Sequence, residues 1–363
     1  MDVLKYVFAT FALLGALDRI LGNRLKIGEE FEKGIMSAGT LALSMVGMIA
    51  IAPLITKLLI PFFKPVSEFL HIDLSFIATF IANDMGGAAV AKSLSDTILA
   101  KFNGLVVSSM LGVTICFTIP VALKMISAKR HKEALGGILC GVATLPLGCI
   151  VSGLILKIPI FVLLWNLMPV LFVSSFVCLG LILKPRLTRK IFEIVGKAMI
   201  VIITAGLAAG IFEMLTDKSL LPYMLPINAA FEIVFEICVI LSGVFPLVSV
   251  LSRLGYKSLG KIGKIFKISE TATLGLITTL ANSIPTFSLV NKMDKKGIVI
   301  NMAFSVSAAF TFGDHLAFTM SIDPSFVTAV VTGKLVSGIA ALFAANFYSK
   351  FYVADICKDA EHI

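Results

Sequence analysis

Asn83 and Asp84, followed by Gly86 and Gly87, interrupt the apolar run ATFIANDMGGAAVAKS at 78–93. Asn282, Ser283 and Pro285 interrupt a second run, TTLANSIPTFSLVNK. Asp84 reads two ways. It can cap a following half-helix by accepting from free backbone N–H groups. It can also lend negative charge to a polar site lined by the Asn83 side chain and nearby carbonyls. Gly86 and Gly87 remove side chains where a helix or a ligand comes close. Ser283 stands where Asp84 stands in the first interruption. Two polar breaks with charge on one side suit a ligand with a single cationic end.

Other polar groups lie in equally apolar surroundings. Glu232 and Glu236 are four residues apart and share one helix face; burial and mutual repulsion there would favour a proton on one of them. Asp314 and His315 interrupt AAFTFGDHLAFTM. Neighbours on a helix project about 100° apart, so they make no catalytic dyad. Asp314 instead suits a cationic substrate, with His315 as hydrogen-bond partner or proton-sensitive group. Phe117, Phe310 and Phe312 offer π-faces to an ammonium, or ordinary packing surface. Asp18 and Glu213 fall at corresponding helix ends and read as salt-bridge partners, Asp18 with Arg19 or Arg24.

No metal site is expected. The four histidines, at 71, 131, 315 and 362, are scattered, and the six cysteines show no CxxC or Cys/His spacing. Five cysteines lie in apolar runs and read as small buried hydrophobes. The chain has no HExxH or GxSxG motif, so catalysis and a cofactor are not expected. It has no P-loop, so ATP drive would need a partner chain.

These groups must be held by membrane helices. The 363 residues are 58% hydrophobic and 15% charged, with mean hydropathy +1.00. An ordinary soluble domain carries about 25% charged residues. Apolar segments fall at about 3–22, 34–60, 74–99, 103–126, 134–156, 158–183, 191–215, 227–254, 268–290, 298–320 and 325–346. In the third and ninth, each half is too short for a hydrocarbon core that takes about 20 helical residues. The expected fold is therefore all-α and polytopic, with about nine full spans and two re-entrant broken hairpins. No soluble domain is long enough to fold alone.

The chain also resembles itself. Pro53-Leu54 and Pro246-Leu247, and Phe117-Thr118 and Phe310-Thr311, are each 193 apart. Ala82-Asn83 matches Ala281-Asn282 at 199, and Val151-Ser152-Gly153 matches Val336-Ser337-Gly338 at 185. Residues 1–156 thus correspond to about 191–346. A linking helix and basic loop fill 157–190, and a tail follows from 347. With both hairpins re-entrant, one set of loops carries twenty Lys and Arg and the other four. The basic set is cytoplasmic by the positive-inside rule, as is the C-terminus. This accounts for the net charge of +9 without nucleic acid. The two halves are then inverted, an arrangement recurrent in transporters.

Together, ALDRILGNRLKIGEEFEKGIMSAGTLALSMVGMIAIAP, IANDMGG, FEIVFEICVILSGVFPLV, LANSIPTFSLVNKMD and FTFGDHLAF resemble the EutH family of ethanolamine permeases, over about residues 12 to 345. The resemblance implies uptake of ethanolamine across the bacterial cytoplasmic membrane. Its family-like polar positions are Asn83, Asp84, Glu232, Asn282, Asp314 and His315, whereas Glu236 falls where the family pattern has a small residue. Ethanolamine is mostly protonated near neutral pH, as lysine-like amines are. A carboxylate would hold its ammonium, and Asn or Ser its hydroxyl. An ion- or proton-coupled carrier of another small polar solute is the alternative. Partners are the substrate and the lipid bilayer, with a homo-oligomer left open.

Overall fold

The computed structural model describes residues 2–81 and 86–360. Among these residues every regular element is helical. A helix is one of the few ways to satisfy all backbone N–H and C=O groups away from water. The first half contains α1 (Asp2–Ile20), α2 (Gly28–Leu70), α3 (Ala78–Ile81), α4 (Gly86–Leu94), α5 (Ile98–Met125) and α6 (Ala128–Ile155). The link is α7 (Ile160–Asn166) and α8 (Met168–Leu183). The second half contains α9 (Pro185–Thr216), α10 (Ile227–Phe266), α11 (Glu270–Ala281), α12 (Ser283–Leu289), α13 (Lys295–Ala308), α14 (Asp314–Ile322) and α15 (Val327–Ala360).

Six of the described helical stretches are long and apolar enough to cross a membrane: α2, α5, α6, α9, α10 and the stretch containing α15. The pair α7–α8, bent by 44°, makes a seventh if it is one span. The chain is thus a multi-pass membrane protein. The stretch 298–320, expected as one span, is two helices. Phe310 takes a left-handed φ of 61° and Gly313 a non-helical ψ of −130°, so the ladder stops at Ala308 and restarts at Asp314.

The ends of each of the segments 74–99 and 268–290 lie close together. Asp73 caps the 3-10 turn that leads into α3, its Oδ1 accepting from Ser75 N at 2.9 Å. Its Oδ2 accepts from the Thr97 hydroxyl at 2.8 Å, just beyond α4. In the second half Asp294 accepts from Ser269 N at 2.9 Å, before α11, and from Gly297 N at 3.0 Å in α13. Each carboxylate thereby latches the two ends of a hairpin about 24 residues long. Thr286 confirms the reversal in the second: its hydroxyl donates to Gly275 O at 2.9 Å. An uninterrupted helix would hold residues eleven apart at about 16 Å.

Two helices form the centre. Phe102 to Gly112 of α5 and Gly297 to Ala308 of α13 are buried throughout. Around them, α6 and α15 cross at Gly148 and Gly333 so closely that a Cβ on either would meet the other's carbonyl oxygen. Ser152 Oγ donates to Ala329 O at 2.8 Å, and Ser337 Oγ to Thr144 O at 3.2 Å. A buried amide pair, Asn103 with Asn166, ties α5 to the bend of the linking pair. Asn103 also donates to Ser75 Oγ at 2.9 Å.

Asp18 does not act as a salt-bridge partner. Its carboxylate accepts from Leu25, Ile27 and Gly28 N–H at 2.8–3.0 Å and so caps α2. Arg19 pairs with Glu32 at 3.2 Å instead. The orphan donors of a helix start outbid a flexible side chain for a carboxylate this close.

A candidate amine site at the second break

The last four carbonyls of α11 have no partners within the helix, and each finds another use. Asn282 N donates to Thr278 O at 2.8 Å, Phe310 N to Thr279 O at 3.0 Å and Phe312 N to Leu280 O at 2.8 Å. Ala281 O lies against Gly313, where a Cβ would collide with it. The break after α11 and the break between α13 and α14 are therefore one structure, two irregular strands of backbone laid together. Such backbone is tolerable at membrane depth when buried in protein.

Several residues expected to bind substrate meet here. Asn282 is extended, and its Oδ1 caps α12 by accepting from Ile284 N at 2.8 Å. Ser283 is fully buried, and its hydroxyl has no partner among the described residues. Pro285 is exposed in the first turn of α12. Thr278 and Thr279 both reach Thr286 Oγ1 at 2.8 Å, fixing α12 against α11.

Asp314 opens α14, half-buried, where the positive end of the helix favours a carboxylate. It lies within electrostatic range of Cys238 of α10. His315 is fully buried, its ring tilted over that of Phe310 with centroids 5.1 Å apart. Phe310 in turn meets Phe117 of α5 edge-on at 5.8 Å. One residue before Phe117, Cys116 Sγ contacts Phe80 O, in the last turn before the first break. Contacts from Phe80 to Cys116, and from its neighbour Phe117 through Phe310 to His315, thus link the end of α3 to the second break.

The first break itself, with Asn83 and Asp84, lies outside the described residues. Gly86 and Gly87 beside it are buried in α4. Gly86 sits on Met48, and Gly87 O beside Gly104 of α5. Glu232 and Glu236 are not in a buried setting. Both are exposed on α10, and Glu236 Oε2 accepts from Ser321 Oγ of α14 at 2.6 Å. Their shared face was legible from spacing, but the direction of that face was not. No group of three or more potential metal ligands occurs among the described residues.

Asp73 and Asp294 were not among the residues singled out in sequence, where nothing marks either carboxylate as a latch. Burial works to raise the pKa of Asp294. Donors from Ser269 and Gly297 outweigh it and hold the carboxyl below its usual range. Reasoning also passed over Lys334, fully buried in α15, whose Nζ donates to Ser109 O at 2.7 Å. The signal was present: a lone lysine inside VVTGKLVSG.

Residues 1–348 match the family model described as "Ethanolamine utilisation protein, EutH". The chain is 42% identical over 343 residues to a protein of Listeria monocytogenes named "Probable ethanolamine permease EutH", covering 94% of this chain and 92% of that one. Proteins of the same name from Salmonella typhimurium and Escherichia coli are 36% and 35% identical, with 95% of this chain and 94% of each covered. No solved structure matches. The chain belongs to the EutH family.

Proposed function

We propose that this EutH-family chain carries ethanolamine across the bacterial cytoplasmic membrane as a secondary carrier or facilitator, with its C-terminus in the cytoplasm. The observation that carries this reading is the joined break. A half-buried carboxylate, Asp314, and the buried Ser283 hydroxyl, which has no partner among the described residues, flank one knot of irregular backbone. A carboxylate and hydroxyls replace the water that an ammonium and an alcohol give up on entering. Asp314 takes the ammonium; Ser283 and Asn282 take the hydroxyl; His315 positions the turn. Asp84 and Asn83 offer the same chemistry from the first half, and Glu232 lies on the approach.

An inverted repeat is part of the proposal, and several contacts support it. Gly47 of α2 abuts Ile203 O of α9, while Gly243 of α10 abuts Phe8 O of α1. These are the same contact with the halves exchanged, at offsets of 195 and 196. The latches exchange likewise, Asp73 with Ser269 and Thr97 with Asp294. Any antiparallel crossing is reciprocal, so the Gly148–Gly333 pair alone would mean little. It gains weight because the two glycines stand at the 185 offset found in sequence. Nine spans and two hairpins, opening to opposite sides, follow from this symmetry and the loop charges.

Uptake of labelled ethanolamine into proteoliposomes, with and without pH and ion gradients, tests the reading. Saturable flux is expected. Gradient-driven flux of another small solute with none of ethanolamine would replace it.

A further inference from the structure

Lys334 is fully buried in the interior. Its side chain is among the largest that are fully buried. It follows Gly333 at the crossing with α6. The residue that follows Gly148, at the 185 offset, is Cys149, also fully buried and within electrostatic range of Lys334. Two matching positions at one crossing therefore hold a cysteine and a lysine.

A buried ammonium survives only where oxygens take the place of its water. One of them is Ser109 O, at 2.7 Å. Ser109 lies in the π-helical stretch Phe102–Gly112 of α5, and π-turns inside helices gather at functional sites. Beside it, the Ser108 hydroxyl is buried and has no partner among the described residues. Ser109 is eight residues from Phe117, about 12 Å along a helix, and Phe117 packs on the Phe310 turn of the amine site.

A lysine side chain beyond Cβ is n-propylammonium. Oxygens arranged to hold it will hold a free primary alkylammonium of the same length. We propose that the groups around Lys334 Nζ form a second primary-ammonium site, which Lys334 fills as a tethered cation and from which it competes with a free amine. The geometry rests on no substrate assignment; its link to transport rests on the ethanolamine reading above. Held near this site, Nζ would also repel a second ammonium, since like charges in a low-dielectric interior oppose each other strongly. Occupancy by tether and by cargo is therefore alternative, not simultaneous.

Lys334→Ala deletes the atoms of n-propylammonium. The full-length variant in detergent should gain melting temperature with added n-propylammonium chloride, by at least ~2–4 °C at saturation. The unmodified chain should gain clearly less, because only the Asp314 site is open to the amine there. Tetramethylammonium, which has no N–H to donate, should do nothing in either protein. Equal shifts in both proteins, or an equal shift with tetramethylammonium, would overturn the site. Should Lys334→Ala not fold, Lys334→Met keeps the aliphatic bulk and empties only the ammonium position. It should bind the ammonium ion (NH4+) about tenfold more tightly than the unmodified chain, because a tethered competitor acts at high effective concentration. Equal affinities would overturn the proposal. Rescue by n-propylammonium with no ethanolamine flux in proteoliposomes would keep the ammonium site and remove the carrier reading.

Discussion

The helix after each hairpin solves the same problem in two ways. In the first half α5 runs unbroken from Ile98 to Met125, loosened into π-turns. In the second, the matching stretch stops at Ala308 and resumes at Asp314. Phe117 and Phe310 are 193 residues apart and touch ring to ring. Yet Phe117 is helical, and Phe310 stands in the left-handed region at φ 61°. A bulky residue is rarely held there, and the strain persists only where the surroundings over-determine it. Here Thr279 O, Phe117 and His315 do so. Breaking the second helix frees the N-terminus of α14 and places Asp314 on it; the unbroken one offers no such charge site. The two stretches thus differ where substrate chemistry is proposed.

The largest structural effect should come from Gly313→Ala. Its Cβ has no room beside Ala281 O, and overpacking of this kind costs about 1–3 kcal/mol. Pro120, the matching residue of α5, should tolerate alanine to within about 1 kcal/mol. Melting curves of the two variants test the contrast, and equal losses would erase it.

Next are the latches. Asp294→Ala and Asp73→Ala each remove a helix-end acceptor and should cost about 0.5–2 kcal/mol. Because the folded Asp294 carboxyl lies below its usual range, its contribution is complete above the unfolded value of about 3.9. It is lost as pH falls through the lower folded value. The stability gap between the unmodified chain and Asp294→Asn should stay flat from about pH 5 to 8 and close only in stronger acid. A gap that changes near neutrality would assign the effect to another group.

A smaller effect carries a sign. In a helix, glycine costs about 1 kcal/mol relative to alanine. In a left-handed turn the preference reverses by about 1–2 kcal/mol. Phe117→Gly should therefore melt below Phe117→Ala, and Phe310→Gly above Phe310→Ala. The same order at both sites would mean that the two backbones do not differ in solution. Smallest is the Lys101–Asp323 pair, at 2.8 Å between the start of α5 and the turn after α14. Partly exposed, it should be worth under about 1 kcal/mol and weaken with salt.

Much of this was legible in sequence. Apolar runs and loop charges pointed to a polytopic helical protein, and Asn282-Ser283-Ile284-Pro285 marked a break where one occurs. Gly313-Asp314-His315 drew attention for its polarity, but nothing local announced Phe310 as the left-handed residue. Its conformation is imposed by α11 carbonyls some thirty positions earlier. The face of Glu232 and Glu236 was readable as a face but not as an exposed one, since periodicity does not say what lies opposite. Asp18 looked like a charge seeking a charge; the free N–H groups of α2 claimed it. Lys334 went unremarked because one lysine barely alters the hydropathy of its segment, whereas in three dimensions it is the buried charge that most needs explaining.

In the proposed function the joined second break holds the ammonium of ethanolamine through Asp314. Saturable uptake of labelled ethanolamine into proteoliposomes should be measured for the unmodified chain and for Asp314→Asn, each checked for an unchanged melting temperature. Removing one partner of a buried charge pair costs 2–5 kcal/mol, so uptake by Asp314→Asn should fall at least about 30-fold. Equal uptake by the two proteins would contradict the account.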